Sequence, residues 1–365
     1  MSNSPLTARV PGKLMIAGEF AVLEPYQKLA VMAVDRFVYA TLEEKGENLV
    51  SLDAYDLRGL AWTYKAGAVD VKTDDSRISF IENAMSVVYT YLLENHVTPN
   101  YFHLSIRSEL DDASGRKYGL GSSAAAVTSV VYIMLAKYLC EKPSEPLVFK
   151  LAAMSHVLTQ GSGSGADVAA SSYGGWLEYS SFQADWLTTM YEQTDSITEL
   201  VEKDWPYFSI TPIDLPEDIH MCIGWTGSPA STSELVGKIS TLKRSCPAVY
   251  NDFLSNSQQA VTTFLHGFQT GESASVIEGI RQNRNALESL GKNADTAIET
   301  PTLTTLCDLA EAFGGAGKPS GAGGGDCGIA FMPSKEKAKQ LLQTWKEAGI
   351  KPLDMHPCKT GASLV

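Results

Sequence analysis

The sequence predicts an α+β protein of two domains, on three observations. Its 365 residues are comfortable for two cores and long for one. Stretches with strand character and stretches with helical spacing are mixed along the chain without the regular beat of βαβ units. Between Pro206 and Pro216 three prolines interrupt the pattern near the middle, which places the boundary near residue 208 and gives domains 1–208 and 209–365.

The elements follow in order. Ala8 to Ala17 is extended and broken at Pro11-Gly12, and Leu29 to Val34 with Phe37 to Leu42 is rich in Val, Ala and aromatics, so the first fifty residues read as strands. Residues 78–93 put Ile78, Ile81, Met85, Val88 and Leu92 on one helical face. Tyr101 to Ile106 alternates like a strand. Ala124 to Leu139 is small and apolar throughout, as in a buried helix, and a further helix covers 146–160. Ser172 to Tyr179 returns to strand character, and 185–205 is helical and surface-like. The second half reads as a strand at 219–225, helices at 231–242, 248–270, 272–290 and 301–313, and a Gly-rich loop at 314–325. A strand from Cys327 to Met332, a helix at 335–348 and a last short strand complete it.

Composition narrows the function. Apolar content of 44% and charged content of 19% are those of an ordinary globular protein. No apolar run reaches the roughly 18 residues of a membrane span, and Met1 to Arg9 lacks the features of a secretory signal; a cytoplasmic location without membrane attachment is expected. The six cysteines are scattered with no C-x-x-C pair, which predicts free thiols rather than a disulfide framework or a zinc site. The net charge of −13 opposes binding to nucleic acid. It does not oppose small anions, which are held by local backbone amides and one or two cations.

Four segments carry the chemical signal. Gly119-Leu120-Gly121-Ser122-Ser123-Ala124 combines two glycines that permit a tight turn with two serines at a helix start. A helix N-terminus presents unpaired N–H groups to a phosphate, and a hydroxyl there can ligate Mg²⁺. The same pattern also suits a simple Gly-Ser turn with a serine N-cap. Pro11-Gly12-Lys13 places a lysine within the apolar run Val10 to Ile16, where it needs an anion. Gly161 to Asp167 puts an aspartate between a glycine turn and a small-residue helix, as an N-cap or beside a ligand. Lys318 to Asp326 is too glycine-dense for a mere connector. No Walker A pattern and no H-R-D motif occurs, which excludes P-loop NTPases and protein kinases by sequence. Four such segments together fit one phosphate-handling site.

In this order the segments resemble the GHMP kinases, the family named for galactokinase, homoserine kinase, mevalonate kinase and phosphomevalonate kinase. Three motifs carry the resemblance: Val10-Pro11-Gly12-Lys13 to Glu19, Tyr118 to Ala125, and Lys318 to Asp326. It implies a two-domain α+β fold with the active site in the cleft between domains. Within the family, Gly163 to Ser171 and Gly224 to Gly227 ahead of Ser231-Thr232-Ser233 are similar to the branch that acts on phosphomevalonate. The implied reaction is ATP plus phosphomevalonate giving ADP plus diphosphomevalonate, in the mevalonate route to isoprenoids. Alternatives are mevalonate or another small-molecule acceptor, and, from another class, a silent ligand sensor on the same scaffold. Retention of Lys13 and Asp167 speaks against the sensor.

The resemblance also implies roles. Lys13 is the expected catalytic lysine and Asp167 the catalytic aspartate, a base or an orienting group. Gly119, Leu120, Gly121, Ser122, Ser123 and Ala124 are expected to wrap the ATP phosphates, with Ser123 ligating Mg²⁺. Ser320, Gly321, Ala322, Gly323 and Gly324 are expected to line the transfer site, and Glu19, Lys117, Ser162, Ser164, Thr232 and Ser233 to contact the substrate. Mevalonate kinases carry a second metal-binding glutamate eleven residues before the aspartate; here that position is His156. The sequence leaves the oligomeric state undetermined.

Overall fold

The computed structural model describes residues 4–111, 116–214, 216, 219–228 and 232–365, with the side chains of 232 and 233 outside the described set. Its first half is built on a nine-stranded sheet. β1 (Leu6–Ala17), β2 (Lys28–Glu44) and β6 (Phe102–Ser108) pair antiparallel at its centre. β3 (Leu49–Leu52), β4 (Leu57–Lys65) and β5 (Ala68–Val71) extend one edge. β7 (Trp176–Ser180) pairs with the other stretch of β2, and β8 (Ser209–Ile213) pairs with β7.

The two expected strands at 29–34 and 37–42 are one long β2. The register between β1 and β2 shifts at Pro11/Gly12, where a proline without an N–H is tolerated as a bulge. The three strands at 49–71 carry no sequence expectation. Ser172 to Tyr179 is not a strand throughout: a helix runs to Tyr173 and β7 begins at Trp176, because Gly174 and Gly175 turn the chain at positive φ.

The helices of this half are α1 (Ser79–Glu94), α2 (Ser122–Tyr138), α3 (Glu145–Gln160), α4 (Ala166–Tyr173), α5 (Ala184–Gln193) and α6 (Ile197–Glu202). α2 is buried along most of its length, from Ala124 to Leu135, and packs against β1, β2, α1, α3 and α4. Its unbroken run of small and apolar residues reflects contact on all sides rather than one amphipathic face.

The second half is a four-stranded sheet in the order β10 (Ala316–Pro319), β11 (Cys327–Met332), β9 (His220–Trp225) and β12 (Lys351–Pro352). Its helices are α7 (Thr232–Ser245), α8 (Pro247–Thr270), α9 (Ser273–Asn293), α10 (Pro301–Ala312) and α11 (Lys335–Glu347). The expected loop at 314–325 therefore contains a strand, β10. Four residues with two glycine neighbours carry no strand pattern, but β11 supplies the ladder, and Gly317 leaves room for the Cys307 backbone of α10. A final strand, β13 (Ser363–Leu364), returns to the first sheet beside β1.

The two halves share one apolar core. Trp176 of β7 meets Phe268 and Phe331, and Phe264 meets Phe331, with ring centroids 5.2, 6.3 and 5.6 Å apart. A buried ion pair also crosses between them. Lys318 Nζ of β10, fully buried, lies 2.5 Å from Glu19 Oε1, just beyond β1, and donates to the Pro319 carbonyl at 2.6 Å. Burial pushes the Lys318 pKa down, and the Glu19 carboxylate opposes that shift.

Removing one partner of such a pair strands the other charge. Lys318→Met is expected to lower stability by about 3–5 kcal/mol in denaturant titration, and Glu19→Gln combined with Lys318→Met to recover most of that loss. A double variant as unstable as the single one would show that the two charges are not coupled.

Candidate active site

The site is assembled around Lys13. β1 brings this mostly buried side chain to the floor of a cleft of ≈ 810 Å³ between the two halves. Its backbone N–H donates to the Leu120 carbonyl at 2.9 Å, and its Nζ donates to the Gly119 carbonyl at 3.0 Å. One residue thus holds the Gly-Ser loop at two points. Close approach is possible because three positions lack a side chain. A Cβ on Gly12 would lie 2.8 Å from the Leu120 oxygen. One on Gly121 would lie 3.1 Å from Lys13 Cγ and 3.5 Å from Asp167 Cβ, and one on Gly119 2.6 Å from the Asp326 carboxylate. Gly119 and Gly121 also have positive φ, 80° and 76°.

Two helices begin at this point without side-chain caps. Gly121 precedes α2 and Gly165 precedes α4, both in the left-handed conformation and neither able to accept from the first turn. A serine cap on α2 was one reading of the Gly-Ser loop; in the structure Gly121 holds the cap position. The first-turn N–H groups of α2 have no side-chain partner among the described residues, and their partial positive charge is offered at the cleft, whereas at α4 the Ala166 N–H donates to the Ser164 hydroxyl at 3.3 Å. Asp167, in the first turn of α4, accepts from the Val168 N–H at 2.9 Å. It makes no ion pair with Lys13, whose ammonium is bonded to Gly119 instead.

The glycine turn before α4 is pinned from below. The Ser164 carbonyl accepts from the Tyr179 hydroxyl and, at 2.9 Å, from the Ser181 hydroxyl. Burial drives the Tyr179 pKa well above its ordinary value, so it remains a donor. From the other half, Ser320 donates its hydroxyl to the Met15 carbonyl at 2.9 Å, and Gly321 lies over Lys13, its Cβ position 4.0 Å from Nζ. Gly324 donates to the Ile298 carbonyl at 2.8 Å. The segment carrying Ile298 is itself held by Arg284, which bonds Glu299, Asp308 and Glu311 at 2.6–3.0 Å.

Most of the residues singled out in the sequence meet here. Lys13, Glu19, Lys117, Gly119 to Ser123, Ser162, Ser164, Asp167 and Ser320 to Ala322 all line the cleft. Ala124 is buried behind the loop, and Gly323 and Gly324 face the Ile298 segment rather than the cleft. Ser231 and the side chains of Thr232 and Ser233 lie outside the described residues. Glu19 presents one oxygen to Lys318 and the Gly321 N–H, the latter at 3.3 Å, while its buried Oε2 has no hydrogen-bond partner among the described residues.

Several lining residues carry no site role from the sequence, among them Gln160, Met15 and Asp326. Gln160 stands one helical turn beyond His156 on α3, and Met15 two residues after Lys13 on β1. Asp326 takes φ 52°, a conformation rare outside glycine, while its backbone bonds Thr226 and Ser228. An acidic residue closing a glycine run was the only signal for it. His156 also lines the cleft, and its Nε2 lies 3.2 Å from Ser123 Oγ.

Comparison with known proteins agrees with this geometry. Residues 81–175 match the GHMP kinases N terminal domain and residues 267–351 the GHMP kinases C terminal region. A phosphomevalonate kinase from Streptomyces sp. (strain CL190) is 31% identical over 369 residues, covering 98% of each chain. The crystal structure of the Lin0012 protein from Listeria innocua is 35% identical, with a TM-score of 0.93 and 99% of each chain covered. Streptococcus pneumoniae phosphomevalonate kinase in complex with phosphomevalonate and AMPPNP is 26% identical, with a TM-score of 0.85 over 96% of this chain and 99% of that one. The N- and C-terminal matches and a relative 31% identical over 98% of each chain agree with the lysine cradled by the Gly-Ser loop, and the chain belongs to the GHMP kinase family.

Proposed function

We propose that this chain is a phosphomevalonate kinase, transferring the γ-phosphoryl group of ATP to the phosphate of 5-phosphomevalonate to give 5-diphosphomevalonate. The observation that carries phosphoryl transfer is the Lys13 ammonium beneath Gly119, where two uncapped helices begin. The choice of acceptor is supported by full-length similarity to a phosphomevalonate kinase.

The chemistry follows from the donor set. A phosphate oxygen of phosphomevalonate attacks the γ-phosphorus; a new P–O bond forms, the bond to ADP breaks, and the transferred group spreads its negative charge over its oxygens. The N–H groups at the start of α2 hold the ATP phosphates, and Lys13 offsets charge that moves during transfer. Oxygen ligands suit Mg²⁺: the hydroxyls of Ser122 and Ser123 and the Asp167 carboxylate line the same cleft. Among the described residues no group of three or more His, Cys, Asp or Glu is placed to bind a metal by itself, which fits an ion held mainly by nucleotide oxygens and water. Mg²⁺ supplies charge neutralisation at the phosphate chain.

A phosphomonoester has a second pKa of about 6 and is largely a dianion at neutral pH, so no strong base is required to activate it. The task is to bring two anions together, for which Lys117, Ser162 and Ser164 stand at the cleft. Asp167, without an ion pair to Lys13, serves to orient the acceptor rather than to remove a proton. Arg116, the neighbour of Lys117, is exposed and outside the cleft lining. No helix among the described residues is long and apolar enough to cross a membrane. The free cysteines, with burial raising the pKa of Cys222 to about 12 and those of Cys307 and Cys327 further, suit a reducing cytoplasm.

Lys13→Met is expected to lower kcat by about 10²–10³-fold with little change in the KM for ATP; a variant keeping more than half of the kcat would remove Lys13 from the mechanism. Ser123→Ala is expected to raise the Mg²⁺ requirement more than Ser122→Ala, read from activity titrated with the metal, and the reverse order would move the metal to the other serine. A substrate panel of phosphomevalonate, mevalonate, homoserine and galactose decides the acceptor. Strong preference for phosphomevalonate is expected, with Lys117→Ala raising its KM more than that of ATP, whereas comparable kcat/KM for mevalonate would return the chain to mevalonate kinase activity.

A further inference from the structure

Hydroxyl groups on the helices of this protein usually bond back to their own helix. Ser129 donates to the Ala126 carbonyl, Ser155 to Leu151 and Thr159 to Ser155, at 2.7–2.8 Å. Ser123, in the first turn of α2, makes no such bond. The carbonyls three and four residues before it belong to Leu120 and Gly119, and both already accept from Lys13, through its N–H and its Nζ. The Ser123 hydroxyl meets His156 Nε2 instead, across the α2–α3 seam at 3.2 Å.

His156 is itself unusual in its place. It is buried on α3 among Ala152, Ala153 and Val157, where a polar ring needs a partner. Its ring lies against Phe80 of α1, with centroids 5.2 Å apart and planes at 36°, and the Ser123 hydroxyl is the hydrogen-bond partner the structure gives it. Packing on one side and the hydroxyl on the other fix the ring plane. Asn83 of α1 bonds Thr159 of α3 at 2.9 Å one turn further on, keeping the same two helices in register.

We propose that His156 is a positioning residue for Ser123: its Nε2 accepts the hydroxyl hydrogen, so that the serine oxygen turns its lone pairs to the Mg²⁺ that accompanies the nucleotide. This rests on the ATP-dependent reading above. A hydroxyl that gives its hydrogen to a fixed acceptor is a pre-oriented ligand, and groups behind a metal ligand set its orientation and affinity. In this arrangement Nε2 contributes a lone pair and Ser123 the hydrogen. His156 therefore supports the cation through Ser123 and does not replace a carboxylate that would touch the metal directly.

The test is AMPPNP binding by titration calorimetry at a series of Mg²⁺ concentrations, without phosphomevalonate, on the full chain. His156→Phe keeps the ring stacking on Phe80 and removes the acceptor. It is expected to raise the Mg²⁺ concentration for half-maximal binding about tenfold, the lower end of what loss of a group behind a metal ligand costs. His156→Gln, which can place an amide oxygen near the Nε2 position, is expected to recover most of the loss. The double variant Ser123→Ala/His156→Phe is expected to match Ser123→Ala alone, because both remove the same interaction. Should His156→Phe fail to fold, as judged by circular dichroism, His156→Asn takes its place with the same expected shift. Unchanged Mg²⁺ dependence in the Phe or Asn variant, or additive losses in the double variant, would overturn the proposal while leaving the kinase reading intact. Wild-type protein that binds no AMPPNP at any Mg²⁺ concentration would overturn both.

Discussion

The attachment of the Gly-Ser loop to β1 through Lys13 is the contact on which the rest of the site depends. A lysine backbone and side chain together bind two successive loop carbonyls, so the loop cannot move without moving the strand at the centre of the sheet. That contact requires glycine at 12 and 121, because any Cβ there would meet the loop or the lysine. It also leaves α2 to begin at a glycine with no cap. Unmade hydrogen bonds at a helix start cost stability unless water or a ligand completes them. The fold accepts that cost at the position where an anion is to bind.

Charge is distributed by the same logic. The chain carries a net charge of −13, yet two buried lysines lie where the halves meet, Lys13 at the cleft and Lys318 behind it, with different fates. Lys318 is neutralised by Glu19 and joins the halves. Among the described residues Lys13 has no carboxylate within salt-bridge distance and rests on a carbonyl dipole, which leaves its charge available to phosphate oxygens. A buried ammonium bonded only to a neutral oxygen is incompletely compensated, and an arriving anion completes it. The Glu19 carboxylate that pairs with Lys318 also accepts from the Gly321 N–H, which draws the C-terminal glycine loop over Lys13.

The seam between α2 and α3 extends this arrangement outward. Ser123, at the helix start, bonds across the seam to His156, and His156 is in turn fixed by Phe80. A strand, two helices and a third helix behind them thus hold one hydroxyl. Such layered support gives a catalytic group its fixed geometry more effectively than a loop can.

The sequence by itself determined what depends on neighbouring residues. Helical spacing marked α1, unbroken small and apolar residues marked a buried α2, and glycines flanked by serine, lysine or aspartate marked the segments that meet at the cleft. These features survive because turn conformation, helix starts and burial patterns are local properties. β3 to β5 and β10 were not legible: β3, β5 and β10 have four residues each, too few for a periodic signature, and the longer β4 is interrupted by a charged residue and a glycine, so partner strands create them. Nor did spacing along the chain reveal that Lys318 would pair with Glu19, or that Asp326 would sit against Gly119. Only the tertiary structure decided which of two similar lysines is neutralised and which is left for a ligand. Contacts across about three hundred residues of chain are set by how the two halves pack, and electrostatic pairing at that range has no local pattern to read.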